Sequence, residues 1–486
     1  MAGTPAAKTR PMGVTWTADG RIVFHGEDDA LWQVPEQGGQ PKPYLTADQA
    51  TGEWCRLPHA LPAGKGILYT SMQASHWSGW RVIAHVAATG ERKVLVEGGA
   101  DARYLPTGHL LFVRAAKLVA VPFDLGTLRV TGAEVVVADH VMQAFNAGTG
   151  TGDTGAAQVA VSDTGVLALV RGGILPDSRY SLSMVSMNGT LRKLSPAPEA
   201  HPYLHPRFSP DGRRVAAWNI SMVNPCLWVF DLERGTLSRP VEGVDAQYPV
   251  WSPDGKSLVF AGAEKRRLNL FRVTADGSLP PERLTRADFD QVPAGWGAGG
   301  RELVFLEWHP DSKYDVMALA LDTRKARPLV KTAFSETSPA VSPDGRWLAY
   351  NSNKSGRGEV YVQPYAGGEA VVVSAGGGGG PLWSRDGSQL FFSRDESGTW
   401  TLLRVQVSGT DVVVASPQCV VFQMPDWRSK VVPGSPTAPV DLAPDRRGIL
   451  VVTIENDDPL RSLRFPKEIS ITTNWFEELR VKVPSR

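Results

Sequence analysis

The chain has 486 residues, 51 of them basic and 50 acidic, for a formal net charge of +1. That balance argues against a nucleic-acid binder, which carries a clear basic excess, and no apolar run reaches the roughly 18 residues that span a bilayer. Hydrophobic residues at 42% and charged residues at 21% are ordinary for a soluble globular protein, while 49 Gly and 37 Pro point to many turns.

In chain order, the first segment, "MAGTPAAKTRPMG", has no apolar core of the kind a signal peptide needs. Residues 1–11 are read as an N-terminal extension. A turn line then recurs along the chain. It is degenerate in "WTADGRIVF" at Trp16, "LPAGKGILY" at Leu61, "YLPTGHLLF" at Tyr104 and "VSDTGVLAL" at Val161. It is clear in "FSPDGRRVAAW" at Phe208, "WSPDGKSLVFA" at Trp251 and "VSPDGRWLAYN" at Val341, which alternate with "WGAGGRELVF" at Trp296 and "WSRDGSQLFF" at Trp383. A last weak copy is "LAPDRRGILVV" at Leu442. Most neighbouring copies lie 42–47 residues apart, the period of a four-stranded propeller blade.

Each copy reads as one meander. After His205, "HPRFS" is a short first strand, "PDG" a turn, "RRVAAWNI" an apolar second strand, "LWVFDL" a third and "TLSRPV" a polar fourth. Helical periodicity is rare; its best instance is "NWFEELRVK" near the C-terminus. The fold class is therefore all-β, a propeller of about ten repeats, with one large ring favoured. Two smaller propellers are the alternative, breaking near the long gap before Val161. Residues 12–475 are assigned to the propeller and 476–486 to a C-terminal tail. The last copy is expected to hold three strands, Val440 to Leu442, Ile449 to Ile454 and Ile469 to Trp475, with an N-terminal segment able to supply a fourth.

The residues of the turn line all have turn-building roles. Pro210 sets φ at the first corner, Asp211 bonds nearby amides, Gly212 takes the left-handed conformation, and Ser209 adds a hydroxyl across the turn. The large residue before the motif (Phe208, Trp251, Trp296, Val341 and Trp383) is expected to pack between adjacent blades. The motif is thus read as scaffold, and function is sought in what it does not repeat.

The search for chemistry is brief. Cys55, Cys226 and Cys419 are far apart and odd in number, so no disulfide framework is expected. His201 and His205 are four apart, but Pro202 and Pro206 argue against a helix, and no metal site is assigned. The glycine run 376–380 lacks a following Lys-Ser/Thr and reads as a connector between blades. There is no Gly-x-Ser-x-Gly elbow and no kinase motif. No catalytic residue and no cofactor are therefore assigned. Two insertions break the period, Gln143 to Gln158 and Phe422 to Pro439, and surface loops on rigid scaffolds often bind. Polar residues on first strands face the channel of a propeller, which makes Arg103, Tyr104, His205, Arg207, Tyr248 and Asp441 the candidate binding residues.

The Ser-Pro-Asp-Gly copies followed by apolar strands resemble the TolB-like propeller repeats of bacteria. "HPRFSPDGRRVAAW", "YPVWSPDGKSLVF", "RGEVYVQPY", "GPLWSRDGSQLFF" and "TTNWFEELRVKVP" form an ordered set of landmarks. So do the earlier "VLVEGGADARYLPTGHLLFVRAAKLVAVPFDLGTLRVTG" and "GAAQVAVSDTGVLALV". The set resembles the extracytoplasmic propeller at the C-terminus of many bacterial serine/threonine protein kinases, over about Trp16 to Pro484. The resemblance implies a sensor or protein-interaction propeller, outside the cytoplasm, without kinase activity, since no catalytic domain is present. The expectation is a non-catalytic binding module for a protein or small ligand at the channel mouth, monomeric, with no nucleic-acid partner and no membrane span. The alternatives are a propeller hydrolase or lyase using the channel, and a regulatory fragment of a receptor kinase.

Overall fold

The computed structural model describes residues 12–484 apart from 27–28, 49–52, 73–78, 145–154, 176–179, 195–202, 220–225, 242–243, 265–266, 410–413, 428–430, 432–436, 439, 446 and 455–468. The expected N-terminal extension, 1–11, lies outside the described residues, as do most of the first insertion and His201. The fold is all-β. In every copy of the turn line the strand before the turn pairs antiparallel with the strand after it.

The chain divides into two compact units: Met1–Asp177 with Met222–Asn224 and Leu460–Arg486, and Ser178–Ser221 with Pro225–Pro459. Of the two expected arrangements the chain takes the second, two units instead of one ring. The division falls after the copy at Val161, later than the gap before it.

In the first unit, two four-stranded sheets (Val14–Leu45 and Trp54–Glu97) precede a five-stranded one within Ala100–Ala138. A three-stranded sheet is built from Val159–Val161, Leu167–Val170 and Ile469–Thr472. The helix α1 (Trp475–Lys482) follows at once. Its Trp475 and Leu479, and Val483 after it, are buried with Trp80, Leu111, Val113 and Leu167. The segment expected as a tail, 476–486, is thus a structural element in its described part, because an amphipathic turn carrying Trp475 and Leu479 buries its apolar stripe.

The second unit has six sheets, five of four strands and one of five, in which Cys419–Pro425 also pairs with Thr399–Ser408. Five are meanders of consecutive strands. The sixth is built from both ends of the unit: β1 (Tyr180–Ser186) and β2 (Leu191–Lys193) join β3 (Asp441–Leu442) and β4 (Gly448–Ile454) in the order β2-β1-β4-β3. The β1–β4 ladder runs from Tyr180↔Ile454 to Ser186↔Gly448, and Ser183 Oγ meets Thr453 Oγ1 at 2.7 Å. The last copy therefore gains its outer strands from the middle of the chain and not from the N-terminus, while Ile469–Thr472 goes to the first unit. Closure of this kind leaves fewer exposed sheet edges.

Apolar clusters run from each sheet face to the next. Ala216, Leu227 and Val229 of one sheet pack on Trp251, Leu258 and Phe260 of its neighbour. The closing sheet packs Leu182, Leu450 and Val452 on Tyr203, Val215 and Trp228 on one side. It packs Val185, Ile449 and Val451 on Trp400 and Phe422 on the other. The core is therefore a series of slices between sheets, and wide aromatic residues fill them, as expected for the large residues before the turns.

Candidate functional site

The turn line is scaffold in its geometry. Ser209 Oγ donates to Asp211 Oδ1 at 2.5 Å and accepts the Arg214 N–H at 2.9 Å, and Gly212 sits at φ +75°. The same hydroxyl–carboxylate bond recurs from Ser252 to Asp254, Ser342 to Asp344 and Ser384 to Asp386. Hydrogen bonds from Ser209 and the Arg213 amide hold Asp211 below the usual carboxylate range. The turns also touch one another. A Cβ added to Gly212 would lie 3.3 Å from Pro444, one on Gly255 3.6 Å from Pro210, one on Gly300 3.0 Å from Pro253 and one on Gly387 3.6 Å from Pro343. In these four pairs the second residue of one turn abuts the fourth residue of the next, so neighbouring turns form a rim.

The tryptophans stitch the rim. Trp251 Nε1 donates to Arg207 O at 3.0 Å, Trp296 Nε1 to Trp251 O at 2.7 Å and Trp383 Nε1 to Ala340 O at 3.1 Å, each to the first strand of the preceding sheet. The glycine run is held as a connector. Asn351 bonds Gly378 O and the Gly380 N–H, and Glu359 accepts the Gly377 N–H.

Residues from all six first strands of the second unit converge on one cavity of about 440 Å³. They include Arg207, Val250, Trp296, Ala340, Trp383 and Asp441. Five of these strands contain a proline: Pro206, Pro249, Pro293, Pro339 and Pro381. Each of the five also carries a register shift. His205, Tyr248 and Ser338, immediately before three of the prolines, adopt φ of +49°, +52° and +49°. A proline cannot donate to a ladder and is tolerated on edge strands and at bulges, so the row of amides facing the channel is broken in sheet after sheet.

The polar groups of the channel are few. Arg207 donates through Nη1 to Pro206 O at 2.9 Å and through Nη2 to Ala438 O at 2.6 Å. Asp441 accepts the Phe208 N–H at 2.8 Å and the Leu442 N–H at 3.0 Å. Burial raises the Asp441 carboxyl, against the pull of Arg207. Arg385 is exposed at the mouth of the same cavity. His205 is buried, 3.2 Å from Thr437 Oγ1, with its ring centroid 4.5 Å from that of Tyr248. Thr437 and Ala438 belong to the second insertion, which therefore reaches the channel.

Four of the six expected binding residues, His205, Arg207, Tyr248 and Asp441, lie in the second unit; Arg207 and Asp441 line the cavity itself. Arg103 and Tyr104 lie in the first unit. Arg103 pairs with Asp101 at 3.0 Å and donates to Val159 O, and Tyr104 packs edge-on against Phe123 at 6.0 Å. Arg385 escaped the sequence reading, although it stands where four other turns of the unit have proline ("SRDG" against "SPDG" and "APDR"). A second cavity, about 550 Å³, lies between the closing sheet and its neighbour, against Met184, Phe208 and Leu232. It lacks the convergence of all six first strands. Among the described residues no three His, Cys, Asp or Glu side chains come together as metal ligands, and no helix is long and apolar enough to cross a membrane.

His205 gives a pH-dependent contribution to stability. Burial, with Arg207 nearby, pushes its imidazole down to about 3. The unfolded chain takes up this proton near pH ~6.5 and the folded chain does not. Stability from this group is complete above that value and falls as pH drops, by about 1.4 kcal/mol per unit at most. In urea unfolding followed by tryptophan fluorescence, the loss between about pH 7.5 and 5 is expected to be smaller in His205→Asn, since Asn tolerates positive φ. An equal loss in both proteins excludes this role.

No established family profile matches the chain. An uncharacterised protein of Agrobacterium fabrum is 23% identical over 197 residues, which cover 38% of this chain and 64% of that protein. The chain thus spans just under two thirds of the length of this curated relative. Among solved structures, a protein assigned as TolB from Agrobacterium tumefaciens superposes with a TM-score of 0.48 at 16% identity, covering 58% of this chain and 99% of that one. TolB from Acinetobacter baumannii gives 0.39 at 13% identity, covering 74% and 79%. An oligogalacturonate lyase in complex with manganese gives 0.37 at 15% identity, covering 62% and 96%. The chain is an all-β protein, mostly of four-stranded antiparallel sheets in the manner of propeller blades, and similar solved structures include TolB proteins and an oligogalacturonate lyase.

Proposed function

We propose that the second unit is a non-catalytic binding module that takes a protein segment or small ligand at the mouth of its channel. The observation that carries this reading is the convergence of six first strands on one cavity, walled by proline and apolar side chains, with Arg207 and Asp441 in it and Arg385 at its edge. Rigid walls with a few fixed polar groups suit recognition. The broken amide row means that a ligand is read by side chains and not by strand addition.

The finer form of the proposal is an extracytoplasmic sensor propeller associated with a bacterial serine/threonine kinase. It rests on the ordered sequence landmarks, and its test is the gene context: a kinase reading frame directly upstream is the expected result, and its absence overturns this finer form.

The test is selection of peptides from a displayed random library against the whole protein. Selected peptides are expected to lose binding at least about tenfold on Arg385→Glu, with thermal unfolding unchanged. Peptides indifferent to every substitution at the mouth overturn the reading. So does turnover of a peptide or sugar polymer that a mouth substitution abolishes.

A further inference from the structure

Each of the six turns on the rim carries a basic residue: Arg213, Lys256, Arg301, Arg346, Arg385 and Arg447. All six are exposed. The rim also holds exposed aspartates, four of which have one carboxylate oxygen tied into their own turns. Asp211, Asp254, Asp344 and Asp386 accept from the serine hydroxyls of their own turns. Arg213 pairs with Glu233 at 3.4 Å, Arg346 with Asp344 at 2.6 Å and Arg447 with Asp445 at 3.7 Å. Lys256, Arg301 and Arg385 make no ion pair among the described residues. The rim thus carries six exposed cations, three of them without an ion pair, beside aspartates that each have an oxygen held in their own turn or by a neighbouring arginine.

The throat below offers few free side-chain polar groups. Asp441 already accepts two amides, and the indole N–H groups of Trp251, Trp296 and Trp383 are spent on backbone carbonyls. Prolines have removed amides from the first strands. What remains for a ligand is the guanidinium of Arg207, two of whose five N–H groups are used, and the free guanidinium of Arg385. Between them the wall is apolar: Val250, Ala294, Ala340 and Leu382.

We propose that the mouth binds an acidic segment of polypeptide, in which carboxylates meet Arg207, Arg385 and the unpaired rim cations while apolar side chains between them fill the wall. Guanidinium groups match carboxylates bidentately. An acidic oligosaccharide offers the same charges, but its hydroxyls need polar partners that this wall does not supply. Complementary charge also steers the encounter, so binding weakens with salt. This inference rests on the channel-mouth reading above and names its ligand.

The probe is a fluorescein-labelled octapeptide alternating glutamate and leucine, with glutamine for glutamate as its control and an oligogalacturonate of equal charge as the rival anion. Anisotropy with the whole protein is expected to show the glutamate peptide bound, at least about tenfold more tightly than the glutamine peptide. Its affinity should fall as ionic strength rises from about 0.05 to about 0.3 M. Arg301→Glu with Arg385→Glu should weaken it about tenfold or more. Lys117→Glu, in the first unit, should leave it unchanged, and Arg385→Gln serves if the double variant does not fold. Equal binding of the two peptides, or insensitivity to the rim variants, overturns the proposal. Tighter binding of the oligogalacturonate overturns the polypeptide assignment. Library peptides that need the mouth but carry no acidic residue remove this inference and leave the binding module standing. Peptides that ignore the mouth remove both.

Discussion

Gly448→Ala is expected to destabilise the six-sheet unit by about 3 kcal/mol, the upper part of the range for overpacking. Gly448 faces Ser186 across the β1–β4 ladder, where the two ends of the unit meet. A Cβ there would lie 2.5 Å from the carbonyl oxygen of Val185 and 2.8 Å from the Met184 methyl. The side chain could swing away, but the carbonyl is part of the paired backbone. Relief requires the strands to separate, and these strands hold positions more than 260 residues apart. Separation would expose two sheet edges, with aggregation as the visible result. The control is Gly295→Ala, where an added Cβ meets nothing within 4 Å, and a change within about 0.5 kcal/mol is expected. Urea unfolding of both variants decides the matter. A Gly448→Ala midpoint equal to that of the parent protein would show that the closure is not tight.

Trp475→Ala should cost the first unit about 3–5 kcal/mol, the range for removing a buried large aromatic. Trp475 is 2% exposed and Leu479 is fully buried. The helix is held at both ends. The Trp475 amide donates to Gly165 O at 2.8 Å, and His109 Nε2 lies 2.6 Å from Val483 O. A Cβ on Gly165 would come within 2.8 Å of the Phe476 ring, so the turn of the fourth copy is fitted to the helix. Trypsin supplies a second readout. Cleavage after Arg480 and Lys482, both exposed, should be much faster in the variant than in the parent. Unchanged unfolding and unchanged cleavage would return this segment to the status of a tail.

The parts that were legible in the sequence are those whose signals are local. Ser-Pro-Asp-Gly specifies a turn within four residues, and the apolar strand behind it follows at once. The tryptophan before the turn announces itself by size. Closure was not legible in this way. The strand Tyr180–Ser186 finds Gly448–Ile454 only when the whole ring has formed, and nothing in either segment names the other. One trace was present: Asn188-Gly189, a hairpin signal, sits between the copies at Val161 and Phe208 and belongs to no turn line. It marks the β1–β2 hairpin, with Gly189 at φ +85°.

The candidate site divides in the same manner. Arg207 and Asp441 were proposed because first strands face the channel, and that argument holds for any sheet of a ring. It gave no means of assigning Arg103 and Tyr104 to a separate unit, since both units write the same turn line. Arg385 was hidden by its position in a turn read as scaffold. A residue that departs from a repeat at one copy deserves the same scrutiny as an insertion.

The contacts between neighbouring turns make the repeats interdependent. Where the second residue of a turn is proline, the fourth residue of the following turn lies beside it, with 3.0–3.6 Å for an added Cβ, and is a glycine at positive φ. In the sequence of the second unit, one turn lacks glycine at its fourth position: "APDR", Ala443 to Arg446. It follows the turn in which Arg385 has replaced the proline. The two departures are neighbours around the ring, whereas Ala298, which also replaces a proline, is followed by a turn that keeps Gly345. A copy of the motif moved alone into another position would therefore arrive without the neighbour it packs against.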